Sequence, residues 1–193
     1  FFNGNPNRAM DLYREFVFKD YSSVQIGQKL GYQLRSEQAD AVEKTIAHVQ
    51  KYGGGQFLWN AKPRFGKTLT AYDLVRQLKA KNVLIVTNRP VIANSWYDDF
   101  EKFIAWQTDY KFVSESDSLK ECPTMSRTEY VEYLISNDEA RQIAFLSLQD
   151  LKGSKYFGGV YDKLQWVTKV EWDILIIDEA HEGVATFKTD QAF

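Results

Sequence analysis

The chain has 193 residues and a formal net charge of −2, from 24 Lys and Arg against 26 Asp and Glu. Hydrophobic residues make up 44% and aromatic residues 15%, so the chain can bury a packed core and is not wholly disordered. One cysteine and two histidines exclude an internal disulfide and a Cys/His structural zinc site, and the near-neutral charge argues against a free-standing basic nucleic-acid module.

No apolar run is longer than four residues, a length reached at 83–86 and 174–177 among others, far short of the roughly 18 needed to cross a bilayer. We therefore predict no membrane partner, and the single cysteine is typical of a reducing, cytoplasmic location. Because the chain opens at Phe1 without an initiator Met and stops at Phe193 without a terminating signal, we expect a fragment of a longer protein.

From residue 36 onward the predicted elements alternate between helices and strands. Apolar spacings of three and four residues predict a helix from Ser36 that ends at the glycines 53–55, and further helices over about 71–78 and 92–103. Short apolar runs predict four strands, at 56–60, 83–87, 143–146 and 172–177. This alternation predicts a parallel sheet with helices on both faces. The polar stretch 107–137 is predicted to be loop, apart from a helix that begins at a capping box over 126–129.

Between a predicted strand and a predicted helix lies a segment with the features of a phosphate-binding loop. It consists of Ala61, Lys62, Pro63, Arg64, Phe65, Gly66, Lys67 and Thr68. Backbone N–H groups of such a loop point at phosphate oxygens, Lys67 adds a positive charge, and the Thr68 hydroxyl can bind Mg²⁺. Ala61 stands where glycine is usual, and Pro63 removes an amide donor. On this motif alone, an ordinary helix start is the alternative.

The second motif is an apolar run that ends in two adjacent carboxylates, Asp178 and Glu179. Because ligands of parallel sheets bind at the carboxyl ends of the strands, both side chains are expected at the ligand edge. Asp178 can hold Mg²⁺, and Glu179 is placed to polarise an attacking water. A solvated acidic turn is the alternative for this motif in isolation, but its combination with the phosphate loop favours a site for ATP and Mg²⁺.

The Gly-Lys-Thr at 66–68, followed by Asp-Glu-Ala-His at 178–181, resembles the first RecA-like motor lobe of superfamily 2 helicases and translocases. The resemblance implies an α/β fold for residues 32–193, that of a RecA-like P-loop NTPase lobe. It leaves residues 1–31 as an N-terminal extension or the tail of an upstream domain. It also implies that the strand of motif III, which lies between the phosphate-loop strand and the Asp178 strand in that fold, would follow Phe193.

Weaker motifs extend the resemblance. The Leu-Arg-x-x-Gln at 34–38 is similar to the element that opens these lobes, which implies that Arg35 and Gln38 contact the nucleotide, with Gln38 at the adenine edge. A plain helix start is the alternative. Two segments after strands resemble the backbone-contacting motifs and imply nucleic-acid contacts from Arg89, Ser147 and Gln149. An ordinary surface arginine is the alternative for Arg89.

Within the superfamily, the sequence looks most like the motor subunits of type I and type III restriction enzymes. The resemblance implies a DNA-dependent ATPase that moves on duplex DNA within a restriction or phage-defence enzyme. Lys67, Glu179 and His181 would be catalytic, Thr68 and Asp178 would bind Mg²⁺, and His181 would couple the nucleotide to the nucleic acid. Implied partners are duplex DNA, a second RecA-like lobe, and a nuclease or methyltransferase domain.

Other functions stay open from the residues. Ala61 and Pro63 are compatible with a degenerate, non-hydrolysing scaffold that binds nucleic acid or a partner protein. A Snf2-like motor, an RNA helicase motor and a P-loop kinase are further alternatives. The second lobe would supply an arginine finger, worth about 10³–10⁵ in rate in related nucleotide hydrolases. We therefore expect this chain by itself to bind nucleotide weakly and to hydrolyse ATP very slowly.

Overall fold

The computed structural model describes residues 31–160 and 164–179. Contacts divide the chain into two units, Phe1–Gly31 and Tyr32–Phe193, and the description that follows concerns the second. Across the described residues, no helix combines the length and the apolar content needed to cross a bilayer.

Four parallel strands form one sheet in the order β2-β3-β1-β4. They are β1 (Asn82–Thr87), β2 (Tyr110–Val113), β3 (Arg141–Ser147) and β4 (Ile174–Asp178). β1 is central and buried from Val83 onward, whereas β4 lies at an edge of the described sheet and is only partly buried. The register places Thr87 beside both Ser147 and Asp178, so the carboxyl ends of three strands meet at one edge.

Helices cover both faces of this sheet. They are α1 (Ser36–Tyr52), α2 (Lys67–Leu78), α3 (Ala93–Phe103), α4 (Arg127–Ser136), α5 (Leu148–Gly153) and α6 (Gln165–Lys169). Helices α2 and α3 pack on one face, where Tyr72, Trp96 and Phe100 join a buried cluster with Ile85 and Phe145. Residues of α4, α5 and α6 join a second cluster on the other face. The predicted α/β fold with a parallel sheet is thus confirmed.

Local signals in the sequence account for most element ends. Helix α1 ends where Gly53 adopts a left-handed φ of 71° and its N–H bonds the carbonyl of Val49, as glycine permits. The predicted capping box begins α4: the Glu129 N–H donates to the Ser126 hydroxyl, and the Glu129 carboxylate accepts from the Ser126 N–H. The predicted helices that became α2 and α3, and the strands that became β1, β3 and β4, are confirmed as well.

The strand predicted at 56–60 is wrong. This segment forms no strand, and Phe57 and Leu58 are 42% and 81% exposed rather than buried. A strand exists only where a neighbour completes its hydrogen-bond ladder, and no described residue forms a strand beyond β4. The segment instead packs on α1, where the Trp59 indole N–H donates to the Thr45 hydroxyl at 2.8 Å.

One strand was not predicted. β2 has four residues and lies inside the polar stretch 107–137, which was predicted to be mostly loop. Its neighbour β3 makes it a strand, because the pairing of Tyr110 through Val113 with Arg141 through Ala144 buries three of its four side chains. Four residues are too few to show a strand period in a sequence.

Candidate nucleotide-binding site

The predicted phosphate loop runs directly into the amino end of α2. Arg64 and Gly66 both have left-handed backbones, with φ values of 64° and 82°, and the Phe65 N–H closes a turn onto the Lys62 carbonyl at 3.1 Å. None of the described side chains caps the first turn of α2. Its amide N–H groups therefore face the loop without a side-chain partner, which is the arrangement that binds phosphate at helix amino ends.

Lys67 lies between the two predicted carboxylates. Its Nζ is 3.3 Å from Asp178 Oδ1 and donates a hydrogen bond to the Glu179 carboxylate, 112 residues along the chain. Burial alone would lower the pKa of Lys67, but the hydrogen bond to Glu179 and the charge of Asp178 outweigh it and raise this pKa above its usual value. The ammonium group therefore stays charged and neutralises the carboxylate pair at the sheet edge.

Glu179 follows β4 with an unusual backbone. Its φ is 55°, in the left-handed region that a residue with a Cβ adopts at a cost of about 1–2 kcal/mol. The Glu179 N–H donates to Asp178 Oδ1 at 2.9 Å, which helps to hold the turn. This backbone turns the chain at the strand end, where the Glu179 side chain meets Lys67. Strained residues of this kind are concentrated at functional sites.

Asp178 has a further partner that sequence reasoning missed. Trp96, on α3 and 2% exposed, donates its indole N–H to Asp178 Oδ2 at 3.0 Å. The apolar spacing of α3 identifies Trp96 only as a core residue. A usable signal was nevertheless present, because a buried indole N–H needs an acceptor, and the carboxyl edge of the sheet supplies one.

Arg35 and Gln38 contact the phosphate loop through its backbone. Arg35 donates from its guanidinium group to the carbonyls of Arg64 and Phe65, and the Gln38 amide nitrogen donates to the Phe65 carbonyl at 2.8 Å. The Gln38 amide oxygen accepts from the Arg35 N–H at 2.8 Å, and Gln38 is 4% exposed. Both residues therefore lie against the loop, whereas the contact of Arg35 and Gln38 with the nucleotide, with Gln38 at the adenine edge, stays a prediction.

The predicted nucleic-acid contacts differ in their surroundings. Arg89 follows β1 at the carboxyl edge and is exposed, and Gln149 is exposed in the first turn of α5. Ser147 is 3% exposed and caps α5, since its hydroxyl accepts from the Asp150 N–H and donates to the Asp150 carboxylate. The hydroxyl of Ser147 is thus committed to the helix, and this geometry does not support its contact with a phosphate. His181 lies outside the described residues.

These residues fit a magnesium nucleotide. Mg²⁺ in proteins is usually held by one or two side-chain oxygens together with substrate phosphates and waters. Asp178 offers such a carboxylate, 9% exposed, and Thr68 offers a hydroxyl in the first turn of α2, next to Lys67. Lys67 already places one positive charge beside both carboxylates, which shows that this edge accommodates a cation.

Two comparisons with known proteins found similar sequences. The model of a family described as type III restriction enzyme, res subunit, matches residues 31–192. A relative from Mycoplasma pneumoniae, named as the C-terminus of a "putative type II restriction enzyme and methyltransferase", is 29% identical over 164 residues. The match covers 82% of this chain and 21% of that relative, so the chain spans about a fifth of the relative's length.

Proposed function

Since the chain belongs to the family of type III restriction enzyme res subunits, we propose that it binds ATP with Mg²⁺ and hydrolyses ATP to drive movement along duplex DNA. Its parallel α/β lobe is of the superfamily 2 helicase type. The observation that carries the finer proposal is the cluster of Lys67, Asp178 and Glu179, which meets at the carboxyl edge of the sheet beside the phosphate loop.

Each residue of the cluster has a distinct task in this proposal. The first-turn amides of α2 and the ammonium group of Lys67 bind the β- and γ-phosphates, while Thr68 and Asp178 hold the metal. Glu179 orients and polarises the attacking water. When bound, Mg²⁺ neutralises charge that develops on the phosphate oxygens.

Lys67 also has to change partners. Without nucleotide, its ammonium group neutralises Asp178 and Glu179. A triphosphate carries more negative charge than the two carboxylates together, so Lys67 transfers to the phosphates and releases both carboxylates for metal and water. Arg35 and Gln38 keep the loop backbone in place during this exchange, because they bond its carbonyls and not the Lys67 side chain.

DNA engages the same edge of the lobe in this proposal. Arg89 and Gln149 are exposed near the carboxyl ends of β1 and β3, where they can contact phosphates of the backbone. A second RecA-like lobe closes on the nucleotide and contributes an arginine, and His181 couples the nucleotide to the DNA. The Mycoplasma pneumoniae relative is named as a restriction enzyme and methyltransferase, and we propose a nuclease or methyltransferase domain as a further partner.

Steady-state ATPase activity of the full-length protein tests this function. We expect turnover with Mg²⁺ that duplex DNA stimulates more than single-stranded DNA or RNA does. Glu179→Gln should lower the stimulated rate about 10²–10⁴-fold, the contribution of a general base, and leave ATP binding intact. Glu171→Gln is the matched control, because this exposed glutamate precedes β4 at its other end and should keep the full rate.

A non-hydrolysing scaffold is the second candidate, and Pro63 is the observation that favours it. Pro63 contributes no N–H group to the loop, so the phosphates have one donor fewer than in the usual motif. A folded full-length protein that turns over no ATP with any nucleic acid would support the scaffold. Equal rates for Glu179→Gln and the unaltered protein would also refute the role of Glu179.

A further inference from the structure

The carboxylate of Asp178 has its two oxygens in different surroundings. Oδ2 accepts the indole N–H of Trp96 at 3.0 Å. Oδ1 accepts the Glu179 N–H at 2.9 Å and lies 3.3 Å from the Nζ of Lys67. One oxygen is therefore held by a neutral donor from the core, and the other faces the phosphate loop.

Trp96 is itself held in place. The hydroxyl of Tyr72 donates to the Trp96 carbonyl at 2.7 Å, and the two rings meet edge to face with centroids 5.4 Å apart. Tyr72 and Trp96 are 1% and 2% exposed, so neither ring can move without disturbing the core. Tyr72 belongs to α2, the helix that continues the phosphate loop. A rigid path of contacts thus joins the loop helix to Asp178 through Trp96.

The chain position of Trp96 explains how it reaches the site. Helix α3 follows the carboxyl end of β1, and Trp96 lies in its first turn on the side that packs on the sheet. β4 is the neighbour of β1, with Asp178 beside Thr87. The Trp96 indole therefore extends over the carboxyl end of β1 to the carboxyl end of β4, the adjacent strand in the sheet. An indole N–H is a donor only, so it can bond a carboxylate but cannot bind a metal ion.

We propose that Trp96 is a positioning residue for the metal site: its indole N–H fixes the rotation of the Asp178 carboxylate and so keeps Oδ1 on the side of the phosphate loop, where Asp178 would hold Mg²⁺. The inference rests on the proposed function, because it assigns Asp178 to the metal. A neutral donor suits this task, since it orients the carboxylate without adding a positive charge that would repel the ion. Partners that orient a metal ligand in this way typically contribute 10–100-fold to metal affinity.

Trp96→Phe tests the proposal, because it removes the indole N–H and keeps an aromatic ring in the core. Binding of a fluorescent ATP analogue to the full-length protein is measured against Mg²⁺ concentration, and Mn²⁺ binding is measured by electron paramagnetic resonance. We expect the half-saturating concentration of either metal to rise at least about 10-fold. Nucleotide affinity in the presence of EDTA should change little, whereas the melting temperature should fall, because the smaller ring leaves space in the core.

The matched control is Trp172→Phe. Trp172 donates its indole N–H to the Val167 carbonyl at 2.9 Å and precedes β4 at its other end, so this variant loses a comparable bond away from Asp178. Its metal requirement should equal that of the unaltered protein. If Trp96→Phe also keeps the original metal requirement, the positioning role is overturned while the proposed function stands. If the unaltered protein shows no metal-dependent nucleotide binding, both the proposed function and this inference are refuted.

A second measurement applies if Trp96→Phe does not fold. The chain has five tryptophans, whose indole N–H signals can be followed by nuclear magnetic resonance after ¹⁵N-tryptophan labelling. Asp178→Asn should shift one of these signals strongly, and Mg²⁺ with ATP should shift the same signal in the unaltered protein. An indole spectrum that neither perturbation changes would overturn the proposal.

Discussion

Replacing Gly66 by alanine should destabilise the protein more than its backbone alone explains. Gly66 has a left-handed φ of 82°, which costs about 1–2 kcal/mol for a residue with a Cβ. An added Cβ would also lie 2.6 Å from the amide nitrogen of Gln38, whereas ordinary contacts begin at 3.4 Å. Gln38 is buried at the base of the loop, so it must retreat by about 0.8 Å.

That retreat removes a specific bond. The Gln38 amide nitrogen donates to the Phe65 carbonyl at 2.8 Å, and this carbonyl keeps a second bond from Arg35. The buried Gln38 amide would lose its acceptor, which costs about 1–3 kcal/mol. Together with the backbone strain, we expect Gly66→Ala to lower the free energy of unfolding by about 2–5 kcal/mol. Gly53→Ala is the matched control, because Gly53 has a similar φ of 71° and a Cβ there would meet nothing within 4 Å. It should cost only the backbone strain.

Urea denaturation of the two variants, and of Gln38→Ala with and without Gly66→Ala, measures the effect. Because Gln38→Ala removes the side chain with which the new Cβ collides, the double variant should be more stable than the sum of the single changes by about 1 kcal/mol or more. Equal losses for Gly66→Ala and Gly53→Ala, together with additive effects in the double variant, would refute the link between Gln38 and the loop.

Two further outcomes follow from the site. The pKa of Lys67 is raised in the folded state, so its stabilising contribution is present below the unfolded pKa of about 10.4 and is lost as the pH rises through the higher folded value. The stability difference between the unaltered protein and Lys67→Met should therefore shrink above about pH 10.4, and a difference that stays constant would contradict this. Ser147→Ala should cost about 0.5–2 kcal/mol through loss of the α5 cap and leave DNA affinity unchanged, whereas Gln149→Ala should weaken DNA binding at unchanged stability. A fall in DNA affinity for Ser147→Ala, at temperatures where it remains folded, would restore its predicted contact.

The sequence was most informative where the chemistry is local. The Gly-Lys-Thr triplet and the Asp-Glu pair each lie within a few residues, and apolar periodicity predicted the helix after the phosphate loop and the strand before Asp178, although the strand predicted before the loop is not formed. The place of the Asp-Glu pair at the ligand edge also followed from the sequence, because parallel strands align their carboxyl ends. The contact of Lys67 with both carboxylates fits that expectation.

Other features depend on neighbours that are distant in the chain. Gln56 to Asn60 has the composition of a strand but forms none, since pairing and not composition makes a strand. β2 is a strand only because β3 lies beside it. The bonds from Trp96 to Asp178 and from Gln38 to Phe65 join residues 82 and 27 positions apart, and periodicity carries no information on which buried donor meets which acceptor. The capping of α5 by Ser147 could have been predicted, because Ser147 and Asp150 have the spacing of a capping box.

The strand order has a consequence for how the chain folds as it is synthesised. β1 is the first of the four described strands to be made, yet its partners β3 and β4 follow about 60 and about 90 residues later. Synthesis proceeds at roughly 5–20 residues per second, so both edges of β1, with its Val-Leu-Ile-Val run, stay unpaired for seconds. Unpaired edges of apolar strands are prone to aggregation. β4 pairs last, and it brings Asp178 and Glu179 with it. Lys67 thus meets its carboxylates only when the sheet is completed, so a nascent chain cannot form the nucleotide site before its core is in place.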